Sequence, residues 1–365
     1  MHLNASTQLT GFLAGMFFAV SLACHPFTGP VLTKFDKRKL LIGVFVLGAA
    51  ANAGYALFDS IPAFAALRFL SGIQYSFLGP LCLALCGDNL PKSRFTYGVG
   101  VYGIGSAIAN AIGPSIGSFV LNTGTNLRNE DFGFTVLFLF GSLVFLLGAV
   151  PAYMINPNKK SKEDITNTGA WYKNIVSKHT LPIACIMMLI MSSYSVINTY
   201  TIEFTKGQGI NGASLFFLVL ALTLAVTRPF SGFLTDRLGI KRVLFPALMI
   251  FAFSLFFIGL SSALWMLLIC AVICAVGYGS TLPTLQAMSM QTETVIRRGV
   301  ATNTIYIGMD LGLFLGPLIG GFVIARTDYS FMFKTNSIQS FLAMILLFAI
   351  LPVYRRRVKD LSGVS

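Results

Sequence analysis

The chain has 365 residues, 55% of them hydrophobic and only 11% charged, with a mean hydropathy of +0.76. Soluble domains carry about 25% charged residues, and disordered chains lack the apolar content of a sequence with 33 Phe, so both classes are excluded. The net charge of +13 invites a nucleic-acid partner, but the basic residues sit in short loops between apolar stretches and form no basic helix or aromatic–basic stripe.

A helix that crosses a bilayer needs about 20 apolar residues. Eleven such stretches are expected, at 9–31, 40–58, 62–86, 97–121, 133–154, 181–204, 213–235, 243–261, 263–288, 299–325 and 331–353. The fold class is therefore all-α integral membrane. If the first loop, with Lys34, Lys37, Arg38 and Lys39, faces the cytoplasm, nearly all other loop cations fall on that side, including the tail Arg355, Arg356, Arg357 and Lys359. Only Arg128, Lys206, Arg326 and Lys334 fall opposite. The positive-inside rule then puts the amino terminus outside and the carboxy terminus in the cytoplasm. The longest polar segment, 156–180, reads as a cytoplasmic linker between an amino-terminal bundle, 1–155, and a carboxy-terminal bundle with its basic tail, 181–365.

Sliding the sequence against itself by 203 residues exposes a repeat. Pro26, Phe27 and Gly29 meet Pro229, Phe230 and Gly232; Pro80 meets Pro283; Arg94 meets Arg297; Gly113, Pro114 and Gly117 meet Gly316, Pro317 and Gly320. Two parallel, pseudo-symmetric helical bundles joined by a linker are a layout used by secondary transporters. The same offset places the counterpart of the helix at 181–204 before Met1, so the amino-terminal half is expected to lack its first helix: 11 transmembrane helices are present where 12 are expected.

The segments Gly29–Lys39 (GPVLTKFDKRK) and Gly232–Arg242 (GFLTDRLGIKR) resemble the two copies of the cytoplasmic loop motif of the major facilitator superfamily. Ala111–Ser118 (AIGPSIGS) resembles the Gly-Pro motif of its fifth helix in drug:proton antiporters, Gly308–Gly321 the matching eleventh helix, and Arg68 the Arg of the fourth. The first loop copy departs from the pattern, with Thr33 where the family carries Asp and Asp36 where it carries the second Gly. The resemblance implies a secondary active transporter that works by alternating access and is not an enzyme. It suggests proton-coupled efflux of a small organic or amphipathic compound, with uptake or metallophore export as alternatives and a non-transporting sensor as the rival from another class. It implies a bacterial inner or plasma membrane, a monomer, the lipid bilayer and a small-molecule substrate as partners, and protons as coupling ion. In the gating loops it singles out Gly29, Lys34, Asp36, Arg38, Gly232, Asp236, Arg237, Gly239, Lys241 and Arg242.

An ionisable side chain at membrane depth is costly and usually functional. Asp310, deep in a span, is therefore a candidate for carrying the proton, joined by Arg68, Arg228 and His25; the last two occupy repeat-related places just before Pro-Phe. Tyr194, Asn198 and Thr201 recur at helical spacing, as do Tyr278 and Thr281, and Gln74 with Tyr75 lie two turns beyond Arg68. These are expected to line a substrate cavity, although interhelical hydrogen bonding explains such residues equally well. Gly113, Pro114, Gly117, Gly316, Pro317 and Gly320 are expected to permit close helix approach and kinking.

Three His and six Cys, the latter all within apolar stretches, form no ligand pattern, so neither a metal nor a cofactor is expected. Gly98–Gly103 matches a dinucleotide fingerprint and Gly113–Gly117 a serine-hydrolase elbow, but neither has the strand that such motifs require.

Overall fold

A computed structural model describes residues 7–58, 60–155 and 171–362. Among these the chain is all-helical: α1 (Thr7–Lys34), α2 (Lys37–Leu57), α3 (Ile61–Asn89), α4 (Phe95–Leu127), α5 (Glu130–Met154), α6 (Leu181–Gly207), α7 (Ala213–Leu238), α8 (Ile240–Ile258), α9 (Leu264–Gln291), α10 (Arg298–Ile324) and α11 (Tyr329–Ser362). Nine of the described helices have the length and apolar content to cross a bilayer, so the protein is an integral membrane protein. Most of the linker lies outside the described residues; its end, Trp171–Asn174, forms a 3-10 turn.

The helices form two compact units, Met1–Leu85 with Ile112–Val176, and Cys86–Ala111 with Ser177–Ser365. Cys86–Ala111, counted from sequence with the amino-terminal bundle, thus groups with the carboxy-terminal unit. The reason is polar anchoring: Arg298 donates to the Gly87 carbonyl (2.7 Å) and pairs with Asp88 (3.3 Å), and the first amides of α4 bond to Asp236.

In the first unit α2 and α5 interlock. Gly48 takes the Phe145 ring, Gly148 takes the Phe45 ring, and the Ser142 hydroxyl donates to the Ala49 carbonyl at 2.9 Å. The opposite face of α5, with Leu139, Leu143, Leu146, Leu147 and Val150, is exposed, which suits a helix turned to lipid acyl chains. A small core of Leu32, Leu41, Val44, Leu81, Leu85 and Ala152 closes one end.

In the second unit α10 lies against α6 along a stripe of glycines. A Cβ at Gly308, Gly312 or Gly316 would overlap the carbonyl oxygen of Ala184, Met188 or Ser192 in turn. Four-residue spacing puts these glycines on one face, and without side chains there the two backbones meet directly. The Tyr200 hydroxyl donates to the Pro317 carbonyl at 2.7 Å, locking the far end of the same seam.

The carboxy-terminal tail departs from expectation. The apolar stretch ends at 353, yet α11 runs on to Ser362. Tyr354 donates to the Gln291 side chain, and Arg357 donates to the Thr292 carbonyl (3.1 Å) and lies 3.9 Å from the Glu293 carboxylate. These bonds hold the basic tail in register on the end of α9.

Candidate functional site

The densest set of candidate residues lies in the second unit. Tyr194 of α6 and Tyr278 of α9 stack face to face, ring centroids 3.9 Å apart and planes 5° from parallel. Asn198, one turn along α6, bonds to the Tyr194 side chain, and the Tyr278 hydroxyl points to the Met191 sulfur at 3.5 Å. Arg228 of α7 lies within electrostatic reach of both phenols. It is only 4% exposed. One terminal nitrogen donates to the Gly103 carbonyl and to the Ser106 hydroxyl (2.6 Å), while Nε has no partner among the described residues. Tyr306 of α10 is within reach of Tyr278. Asp310, 8% exposed, is four residues beyond Tyr306 and so on its face of α10, opposite the glycine face that meets α6.

Two expected cavity residues stand apart. Thr201 and Thr281 are fully buried, and their hydroxyls donate to the Ile197 (2.6 Å) and Gly277 (2.8 Å) carbonyls of their own helices. A hydroxyl bonded four residues back is committed to the helix, so the polar stripe shrinks to Tyr194, Asn198 and Tyr278.

Of the candidates in the first unit, Arg68 stacks over Tyr55 and Phe64, 5.8 and 5.2 Å from the ring centroids. This cation–π seat gives its charge a structural partner. Gln74 is 5% exposed with its side-chain nitrogen unpartnered among the described residues, Tyr75 packs on Phe17, and His25 is 1% exposed in α1.

The two loop copies do different work. Asp236 lies in the last turn of α7 and accepts from the Thr96 amide (3.0 Å) and the Tyr97 amide (2.8 Å). A carboxylate on the free amides of a helix start satisfies orphan donors and the helix dipole together. Gly232 makes room for this approach, since a Cβ there would lie 2.7 Å from the Tyr97 Cα. In the first copy Thr33 donates to its own Gly29 carbonyl at 2.7 Å. Asp36 instead caps α2, accepting from the Arg38 amide at 2.8 Å and the Lys39 amide at 3.4 Å. Its repeat partner Gly239, at φ +86, turns the chain between α7 and α8 where a side chain would be strained. Lys34 is exposed, Arg38 stacks on Tyr153, Arg237 on Phe233 and Lys241 on Phe348, and Arg242 is exposed.

A Cβ at Gly316 would overlap the Ser192 carbonyl, one at Gly320 would lie 3.1 Å from the Tyr200 ring, and Pro317 lies within α10. A Cβ at Gly113, by contrast, would meet nothing within 4 Å among the described residues, and one at Gly117 would meet only Leu137 at 3.9 Å. The Pro114 side chain lies outside the described residues.

Sequence reasoning missed the partners of Arg228, because Gly103 offers a backbone carbonyl and Ser106 is one hydroxyl among many. It also missed Glu293, which is buried, pairs with Arg297 at 3.2 Å and accepts from the Ser177 hydroxyl at 2.6 Å. The Glu-x-x-x-Arg spacing was the available signal for the first of these contacts.

A family model described as Major Facilitator Superfamily matches residues 1–223 and 180–364. The chain is 20% identical over 358 residues to an MFS-type transporter, MJ1560, of Methanocaldococcus jannaschii, a match spanning 94% of this chain and 89% of that protein. It is 25% identical over 173 residues to the putative multidrug resistance protein MdtD of Salmonella newport, where the match covers 46% of this chain and only 37% of MdtD. Among solved structures, the human organic anion transporter MFSD10 aligns with a TM-score of 0.72 at 19% identity, covering 92% of this chain and 83% of that one. The proton:xylose symporter XylE aligns with a TM-score of 0.76 at 14% identity, covering 95% and 88%. At these identities the structural likeness establishes the fold.

Proposed function

The chain belongs to the major facilitator superfamily, and on that footing we propose that it is a secondary active transporter exporting a small amphipathic organic compound with an acidic group, in exchange for protons. The observation that carries this reading is Arg228. An arginine at the middle of a spanning helix costs about 2.5–3.5 kcal/mol on insertion scales, and this one is buried with a guanidinium nitrogen unpartnered among the described residues. An anionic group is the natural complement of such a fork. Beside it the half-buried Tyr194, stacked on the buried Tyr278, offers its remaining aromatic surface to the rest of the molecule.

Asp310 carries the coupling proton in this account. It is the carboxylate on the Tyr306 face of α10, and Tyr306 in turn is within reach of Tyr278. Alternating access supplies the cycle: Asp236 holds the start of α4 in one state and releases it in the other. Arg68, seated on Tyr55 and Phe64, and His25 are assigned supporting roles in the first unit, with Gln74 and Tyr75 as polar contacts. The transporter works as a monomer in a bacterial plasma membrane with its carboxy terminus in the cytoplasm, which the distribution of Lys and Arg supports. The export direction draws support from the multidrug-resistance name of MdtD.

Proteoliposomes with an imposed pH gradient test the reading. Flux of an acidic amphipath is expected to follow the gradient outward-for-inward and to lose that dependence in Asp310→Asn. Gradient-driven flux that persists in Asp310→Asn overturns the coupling assignment, and flux down the proton gradient in the same direction as the proton replaces export by uptake.

A further inference from the structure

Outside the candidate site, a basic concavity opens at one end of the second unit, where the α7–α8 turn, the start of α8 and the end of α11 meet. Its volume is about 960 Å³. Lys241 and Arg242 line it from α8 and Arg355 lines it from α11, while Phe245, Pro246 and Phe348 form its apolar wall. No carboxylate is among its lining residues in the described part of the chain. Gly239 stands where the first loop copy carries Asp36, so the acid that caps α2 has no equivalent here. A neighbouring hollow of about 560 Å³, continuous through Gly239, Lys241 and Arg355, adds Lys359 to the basic rim.

The two kinds of lining are separated along the helix axis. Phe348 precedes Arg355 by seven residues, about 10 Å of α-helix rise, and it is 63% exposed. The Lys241 ammonium lies over the Phe348 ring, 5.4 Å from its centroid, and so joins the basic rim to the aromatic wall. Cations therefore sit at the end of the spans, where helix meets water, and aromatic surface continues from them towards the apolar part of α8 and α11. A soluble anion would use the cations and leave the aromatic wall bare. An anionic phospholipid uses both, its phosphate between Lys241, Arg242 and Arg355 and an acyl chain along Phe348 and Phe245. Basic pockets between spanning helices bind anionic headgroups in this manner.

We propose that the groove between the α7–α8 turn and the end of α11 is a binding site for an anionic phospholipid. The lipid ties α8 to α11 by neutralising cations on both, and so stabilises the second unit independently of any transported substrate.

The test is native mass spectrometry of the detergent-purified full chain, titrated with phosphatidylglycerol, with phosphatidylcholine of the same acyl chains, and with glycerol 3-phosphate. Phosphatidylglycerol is expected to bind in preference to both. Each neutralised cation is expected to lower its affinity roughly fivefold, so K241Q/R242Q/R355Q loses on the order of a hundredfold. Neutralising three cations elsewhere, R128Q/R326Q/K334Q, is expected to leave it unchanged, and F348A to weaken the lipid without affecting glycerol 3-phosphate. Equal binding of phosphatidylcholine, retention of phosphatidylglycerol by K241Q/R242Q/R355Q, or binding of glycerol 3-phosphate as tight as the lipid overturns the proposal.

Discussion

Two helices 203 residues apart carry the same stripe of small residues and meet different surroundings. On α10 the stripe is Gly308, Gly312, Gly316 and Gly320, and α6 presses its backbone into it. On α4 it is Gly105, Ala109, Gly113 and Gly117, and a methyl group at Gly105 or Gly113 would meet nothing within 4 Å among the described residues. Beside the open stripe Ile108, Ile112, Ile116 and Phe119 are exposed. Four-residue spacing of small residues thus specifies a surface able to receive a helix. Whether a helix lies there is decided by the rest of the chain.

The contrast is sharpest under substitution. Gly312→Leu drives a side chain into the Met188 carbonyl and the Met191 side chain; overpacking costs about 1–3 kcal/mol and occasionally more, and a clash with backbone falls at the upper end. A collapsed monodisperse peak in fluorescence-detected size exclusion is the expected result, whereas Ala109→Leu at the matching place on α4 is expected to elute as the parent does.

The loop copies offer the next pair. Asp236→Ala removes two charge-assisted bonds to the α4 amides and is expected to lower stability by about 1.5–3 kcal/mol. Thr33→Ala, which loses only a bond within its own helix turn, is expected to cost no more than about 0.5 kcal/mol. Melting curves of the two variants in one detergent give the comparison directly.

A smaller effect is expected at the closed seam from Tyr200→Phe, which deletes the hydroxyl bond to the Pro317 carbonyl for about 1 kcal/mol. Another small effect has the opposite sign. Gly113→Ala on the open stripe removes helix-interior glycine without a clash and is expected to raise the melting point, by about 0.5–1 kcal/mol of stability. A clear loss of stability in Gly113→Ala would mean that the stripe on α4 is covered in the isolated protein.

Much of this was legible in the sequence, for identifiable reasons. Membrane spans announce themselves because backbone groups in lipid must be satisfied within the helix, so apolar length alone located the helices. The repeat picked out Gly316 and Gly320 on α10 and the family resemblance picked out Asp236, because both depend on residue type at fixed spacing. Three features were not legible. Arg228 is held by a backbone carbonyl and a lone serine, and neither leaves a periodic trace. Thr201 and Thr281 have the right spacing for a cavity stripe, but hydroxyl direction is set by the local helix carbonyl, which spacing does not record. The helical tail to Ser362 follows from its bonds to the Gln291, Thr292 and Glu293 positions, which are distant in sequence and outside any apolar pattern.

The cluster around Arg228 is proposed to recognise an acidic amphipath whose passage moves protons. The most direct measurement records the lumenal pH of proteoliposomes while a panel of acidic, neutral and basic amphipaths of matched size is added. A pH change is expected with acidic compounds alone, lost in Arg228→Gln and kept in the control Lys206→Gln. A response to basic compounds in preference to acidic ones, or an undiminished response in Arg228→Gln, would contradict it.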